Sequence, residues 1–260
     1  MEHIQRYGDV SVTAGGGGHV ATVELHRPPN NHFDLELIAS LADAFDAVDR
    51  DGECRAIVLC AEGKHFCAGA DFGGRRDGVT GGRRHLYEEA IRLFEARTPV
   101  VAAVQGAAIG GGLGLAMAAD FRVASPEARF SANFARLGFH HGFGLTVTLP
   151  GAVGQQRALD LLYTGRRVTG EEALRIGLCD RLAPAADLRA EAQALAAEIA
   201  ASAPMAVRSI RETMRGDLAE RVRAALVRER AEQERLNQTE DFREGIRATA
   251  ERREARFTGR

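Results

Sequence analysis

No stretch of this sequence approaches the roughly eighteen uninterrupted apolar residues that would cross a bilayer, so no membrane partner is expected. The opening residues, Met1-Glu2-His3-Ile4-Gln5-Arg6, lack the apolar block of a secretory signal, and a cytoplasmic setting is the expectation. There is no excess of one charge either. With 34 basic and 36 acidic side chains the formal net charge is -2, and the two signs are interspersed, which argues against nucleic acid as a partner. Cysteine is scarce: Cys54, Cys60, Cys67 and Cys179 show no CxxC spacing, so reduced thiols and no metal site are expected. A P-loop, an HExxH helix and a GxSxG elbow are all missing, which disfavours the NTPase, zincin and serine-hydrolase classes. The dinucleotide fingerprint fails as well, because Leu115 stands where the last glycine of GxGxxG would fall when counted from Gly110 and Gly112.

What is present is an ordinary globular composition, 45% apolar in 260 residues, long enough for one large core plus an appended element. Alternating stretches at 10–13 and 20–25 flank Gly15-Gly16-Gly17-Gly18 and predict a hairpin. Asp34 is placed to cap a helix to about Arg50, with Leu37, Ile38, Leu41, Phe45 and Val48 on one stripe. Buried strands are expected at 56–60 and 100–105, with a helix over about 83–97 between them that Thr98-Pro99 ends. Gly110-Gly111-Gly112 opens a short helix, and further strands follow at 121–124 and 128–131. This order suggests an α/β fold of stacked ββα turns rather than a doubly wound sheet. From about residue 185 the chain reads as helical and strongly charged, with Leu218, Val222, Leu226 and Leu236 lining one side and Thr239 capping a last helix. The expected division is a core over 1–200 and a helical oligomerisation region over 201–260.

Two glycine loops each leave a buried strand: Gly63-Lys64-His65-Phe66-Cys67-Ala68-Gly69-Ala70-Asp71-Phe72, and the run from Gly106 through Gly110-Gly111-Gly112 to Asp120. Both resemble the crotonase, or enoyl-CoA hydratase/isomerase, superfamily, and the likeness extends from Arg27-Pro28 through Gly170-Glu171-Glu172-Ala173 to Phe257-Thr258-Gly259-Arg260. The resemblance implies a crotonase-like spiral with a C-terminal helical layer. It also implies an acyl-CoA thioester as substrate, no metal or redox cofactor beyond the coenzyme A of the substrate, and trimers or dimers of trimers. In that chemistry a thioester carbonyl becomes an oxyanion that two fixed backbone N–H groups stabilise. By resemblance those donors belong to Ala68 and Gly111, the latter at a helix N-terminus whose dipole favours negative charge. The same likeness assigns substrate and CoA contacts to Asn31, Lys64, Ala68, Ala70, Asp71, Gly110 and Gly111, and Arg75-Arg76 could reach CoA phosphates.

Hydration of an unsaturated thioester uses two carboxylates, and the motifs place those positions at Gly114 and Phe134, with a later alternative at Gly142. None of the three can transfer a proton. The candidates for acid and base are therefore His141 and then His140, an imidazole pair in a glycine- and aromatic-rich loop. His85, Tyr87, Glu88 and Glu89 form a second wall from which one side chain could face the site. The reaction stays open among an enoyl-CoA hydratase or isomerase, a decarboxylase or C–C bond hydrolase, and a non-catalytic acyl-CoA binder.

Overall fold

The computed structural model describes residues 3–14, 19–70 and 85–260. Strand β1 (His3–Tyr7) was not expected from the sequence; it pairs antiparallel with β2 (Val10–Ala14), which pairs antiparallel with β3 (Val20–Leu25), the expected hairpin. Asp34 caps α1 (Leu35–Arg50) as expected, its carboxylate accepting the Leu37 N–H at 2.9 Å, and the apolar stripe of α1 is buried. Strand β4 (Ala56–Ala61), helix α2 (Leu86–Glu95) and strand β5 (Val100–Val104) follow, with β3, β4 and β5 parallel. β4 and β5 are buried along their whole length, as sheets covered on two faces require.

Next come β6 (Ala107–Ile109), α3 (Gly111–Ala118), β7 (Phe121–Ala124), β8 (Arg129–Ser131) and a short 3-10 turn over Asn133–Leu137. Helices α4 (Leu145–Val153) and α5 (Gln155–Thr164), strand β9 (Val168–Thr169), helix α6 (Gly170–Ile176) and strand β10 (Arg181–Leu182) complete the middle of the chain. The main sheet has the order β1-β2-β3-β4-β5-β7-β10, and a small second sheet has the order β6-β8-β9. From β5 on, each strand–turn–strand unit, β5-β6 and then β7-β8, gives its first strand to the main sheet and its second to the small one, the spiral arrangement expected.

Helix α7 (Leu188–Ala200) lays Leu188, Ala192, Leu195 and Ala196 on β4 and β5, where they share a core with Val58, Cys60 and Val101. Three more helices end the chain: α8 (Pro204–Arg215), α9 (Leu218–Leu236) and α10 (Glu240–Ala250), the last capped by Thr239 through the Phe242 N–H. Val222 and Leu226 of α9 join the main core, so this helix is fastened to the body. Helix α8 is different: it buries no residue fully and is held by arginines, Arg211 and Arg215 on Asp120 at 2.9 and 3.1 Å.

Candidate active site

The two glycine loops lie side by side. The Cys67 N–H donates to the Ala107 carbonyl at 2.9 Å, and the Ile109 N–H donates to the Cys67 carbonyl at 3.1 Å, a parallel bridge between the segments. Glycine is required where the approach is tightest: a Cβ on Gly112 would stand 2.1 Å from the Cys67 carbonyl oxygen. Gly110 has φ +57°, and its N–H is committed to the Ser131 carbonyl at 2.8 Å, so this residue shapes the entry to α3.

The backbone donors divide into committed and free. The Ala68 N–H donates to the Asn30 carbonyl at 2.9 Å, which removes it as an oxyanion donor and corrects the expectation from the sequence. Two residues on, the Ala70 N–H has no acceptor among the described residues, and neither does the Gly111 N–H in the first turn of α3. Gly111 is packed beneath Phe33, whose ring would lie 2.3 Å from a Cβ there.

Asn31 is also corrected as a side-chain contact for CoA. It is fully buried at φ +49°; its Oδ1 accepts the Arg27 N–H at 2.9 Å, and its Nδ2 donates to the Glu62 and His65 carbonyls, each at 2.7 Å. The amide therefore locks the 27–31 loop against the first glycine loop. Lys64 is exposed at the rim, whereas Asp71 and Arg75-Arg76 lie outside the described residues.

The places where carboxylates were looked for are filled by aromatic groups and amides. A Cβ on Gly114 would lie 2.5 Å from that of Phe143, and Phe134 is buried beside Gly110. A Cβ on Gly142 would meet the Tyr87 hydroxyl at 2.0 Å and Gln233 Nε2 at 2.4 Å. Phe143 adopts φ +60°, a left-handed conformation that is strained for a bulky residue, by about 1–3 kcal/mol. That conformation drives its ring edge-on against Phe33, centroids 5.5 Å apart, and so couples the histidine loop to the floor of the site.

His140 and His141 are half-buried and stacked, with ring centroids 4.1 Å apart. Burial, and secondarily the neighbouring His140, pulls His141 down to about 4 from the usual imidazole range, so the ring is neutral at pH 7. Its Nε2 lies 2.9 Å from Thr146 Oγ1. On the second wall, Tyr87 reaches this loop, whereas Glu88 is exposed and Glu89 turns away to Arg92 at 2.5 Å. His85 caps α2 by accepting the Tyr87 N–H at 3.1 Å. Sequence reasoning missed Thr146, Glu229 and Gln233, which hold the histidine loop. A cavity of about 800 Å³ lies elsewhere, where the C-terminal tail folds back on α10; its charges pair with one another, Glu244 with Arg247 and Arg253 at 2.6 and 2.5 Å.

The family model described as "Enoyl-CoA hydratase/isomerase" matches residues 15–260. A Rhodobacter capsulatus protein named "Probable enoyl-CoA hydratase" is 37% identical over 253 residues, covering 93% of this chain and 95% of that protein. The crystal structure of enoyl-CoA hydratase/isomerase from Pseudoalteromonas atlantica superposes with TM-score 0.88 at 32% identity, covering 96% of this chain and 100% of that one. That of an enoyl-CoA hydratase from Mycobacterium avium gives 0.84 at 28% identity, covering 96% and 99%. The chain belongs to the enoyl-CoA hydratase/isomerase family and has the crotonase fold. It is an enzyme of that family.

Proposed function

We propose that this enzyme binds an acyl-CoA thioester with its carbonyl oxygen between the Ala70 and Gly111 N–H groups and that His141 removes or returns the α-proton. The observation that carries the reading is the pair of backbone donors on adjacent loops that have no acceptor among the described residues, one at a helix N-terminus, in a chain of this family. As negative charge develops on the thioester oxygen, preset donors stabilise it without reorganising solvent; such a donor is typically worth about 3 kcal/mol of barrier. A neutral His141 can accept the α-proton at pH 7, and its conjugate acid gives the proton back readily. The glycines at 114 and 142 and Phe134 leave water without a carboxylate to activate it, which supports enolate formation over efficient hydration. The same vacancy favours, as a second reading, decarboxylation of a malonyl-type CoA or C–C cleavage, where the oxyanion site does most of the chemistry. A homotrimer or dimer of trimers in the cytoplasm, with no cofactor other than the CoA of the substrate, belongs to the same proposal.

The test is exchange of the α-protons of butyryl-CoA in D₂O, followed by NMR, beside hydration of crotonyl-CoA. Exchange with weak hydration is the expected result. Ligand binding without exchange, hydration or decarboxylation across a thioester panel would instead leave an acyl-CoA binder.

A further inference from the structure

Glu229 of α9 is fully buried, and the enolate chemistry above does not use it. Its Oε2 accepts the Gly144 N–H at 2.9 Å; its Oε1 accepts the Thr146 N–H at 3.0 Å and the Thr146 hydroxyl at 2.6 Å. A threonine hydroxyl has one proton, and this one is directed at a carboxylate. The Thr146 oxygen therefore turns only lone pairs toward His141 Nε2, 2.9 Å away. A hydrogen bond there requires the imidazole proton to sit on Nε2, which leaves the lone pair on Nδ1. The neighbouring ring is set the other way: His140 Nδ1 lies 2.7 Å from the His141 carbonyl, which can only accept, so its proton sits on Nδ1.

One turn further along α9, on the same face, Gln233 Nε2 donates to the His140 carbonyl at 3.0 Å, while Gln233 Oε1 accepts the Tyr87 hydroxyl at 2.7 Å. The helix thus holds the histidine loop on both sides of the pair. A purely structural tie would need no more than the backbone N–H groups of Gly144 and Thr146; the hydroxyl bridge to an imidazole is additional.

We propose that Glu229 is a positioning residue that, through Thr146, fixes His141 in the Nε2–H form so that Nδ1 is the atom that takes the substrate α-proton. The proposal rests on the reading of His141 as the base. In the step, the α-carbon–hydrogen bond breaks, its electron pair moves into the enolate with charge on the thioester oxygen, and the proton bonds to Nδ1. Reversal delivers a proton, or in D₂O a deuteron, from Nδ1 to the α-carbon.

Thr146→Val tests this, because valine keeps the shape of an exposed side chain while removing the hydroxyl. Histidine-selective ¹⁵N NMR, with the His141 signals assigned by their loss in His141→Ala, reads the tautomer directly. Butyryl-CoA α-proton exchange reads the chemistry. The wild type should show His141 protonated on Nε2. Thr146→Val should give a tautomer mixture and exchange about tenfold slower at saturating butyryl-CoA, a part of the roughly 10²–10⁴-fold that a positioned base contributes, with KM little changed. Thr146→Ser should restore both. Exchange that survives His141→Ala removes the base and this proposal with it. Exchange lost in His141→Ala but unchanged in Thr146→Val, or a His141 tautomer that is Nδ1–H in the wild type, overturns the positioning role alone.

Discussion

Phe143 explains why a glutamate side chain does not fit at the first matched position. Its β-carbon stands 2.5 Å from where a Gly114 side chain would begin, and its left-handed backbone leaves it little room to retreat. Gly114→Glu should lower stability by about 1–3 kcal/mol through overpacking, read as a fall in Tm, with crotonyl-CoA hydration unimproved. At the proposed oxyanion site, Gly111→Ala forces Phe33 to move and displaces the proposed donor; exchange should fall on the order of a hundredfold, the loss typical of one such donor. His141 carries a pH signature. Its folded-state value of about 4 lies below the 6.5 of a free imidazole, so the unfolded chain binds more protons between these values and folding weakens as pH falls through that window. Relative to wild type, His141→Gln should lose less stability between pH 7 and pH 4.5 in urea titrations, and wild-type exchange should retain its acid limb well below pH 6.5.

The elements differ in how openly the sequence announces them. The hairpin strands, capped α1, the buried strands and the described parts of both glycine loops follow from alternation, a cap residue and small residues at close approaches, and they stand where expected. Helix α4 went unread because Pro150 lies inside it and glycines flank it, which masks the period of 3.6. Ala68 was expected as a donor because a motif names residues, whereas only the backbone geometry says which N–H group is already engaged; Ala68 and Ala70 look alike in sequence. Glu229 and Gln233 were hidden for another reason. On a helix as rich in arginine and glutamate as α9, a carboxylate that turns inward has the same local pattern as its solvated neighbours. Glu229→Ala would leave three buried or partly buried donors at Gly144 and Thr146 without their acceptor, and a loss of about 2–4 kcal/mol should appear in denaturant unfolding.

At the scale of the molecule, α8 is a helix turned the unusual way round. Its arginines face the body, with Arg208 on the Cys54 carbonyl and Arg211 and Arg215 on Asp120, while Met205, Ile210 and Met214 are 85%, 63% and 80% exposed. No helix among the described residues is long and apolar enough to cross a membrane. The expected cover for this face is another copy of the chain, as the proposed trimer would supply. Sedimentation of the wild type should give a multiple of the 28.0 kDa protomer, and Ile210→Asp with Met214→Asp should shift it toward the monomer; a monomeric wild type would remove the trimer.

The hold of α9 on the histidine loop also imposes an order on the making of the enzyme. The glycine loops, α3 and the histidines are all synthesised before residue 145, whereas the carboxylate and amide that grip the loop arrive only at 229 and 233. The glycine loops are therefore made well before the groups that hold the histidine loop, and that loop cannot take its held form until α9 has left the ribosome. A chain terminated before residue 229 would carry both histidines without the groups that hold them, so the held loop doubles as a report that α9 was made.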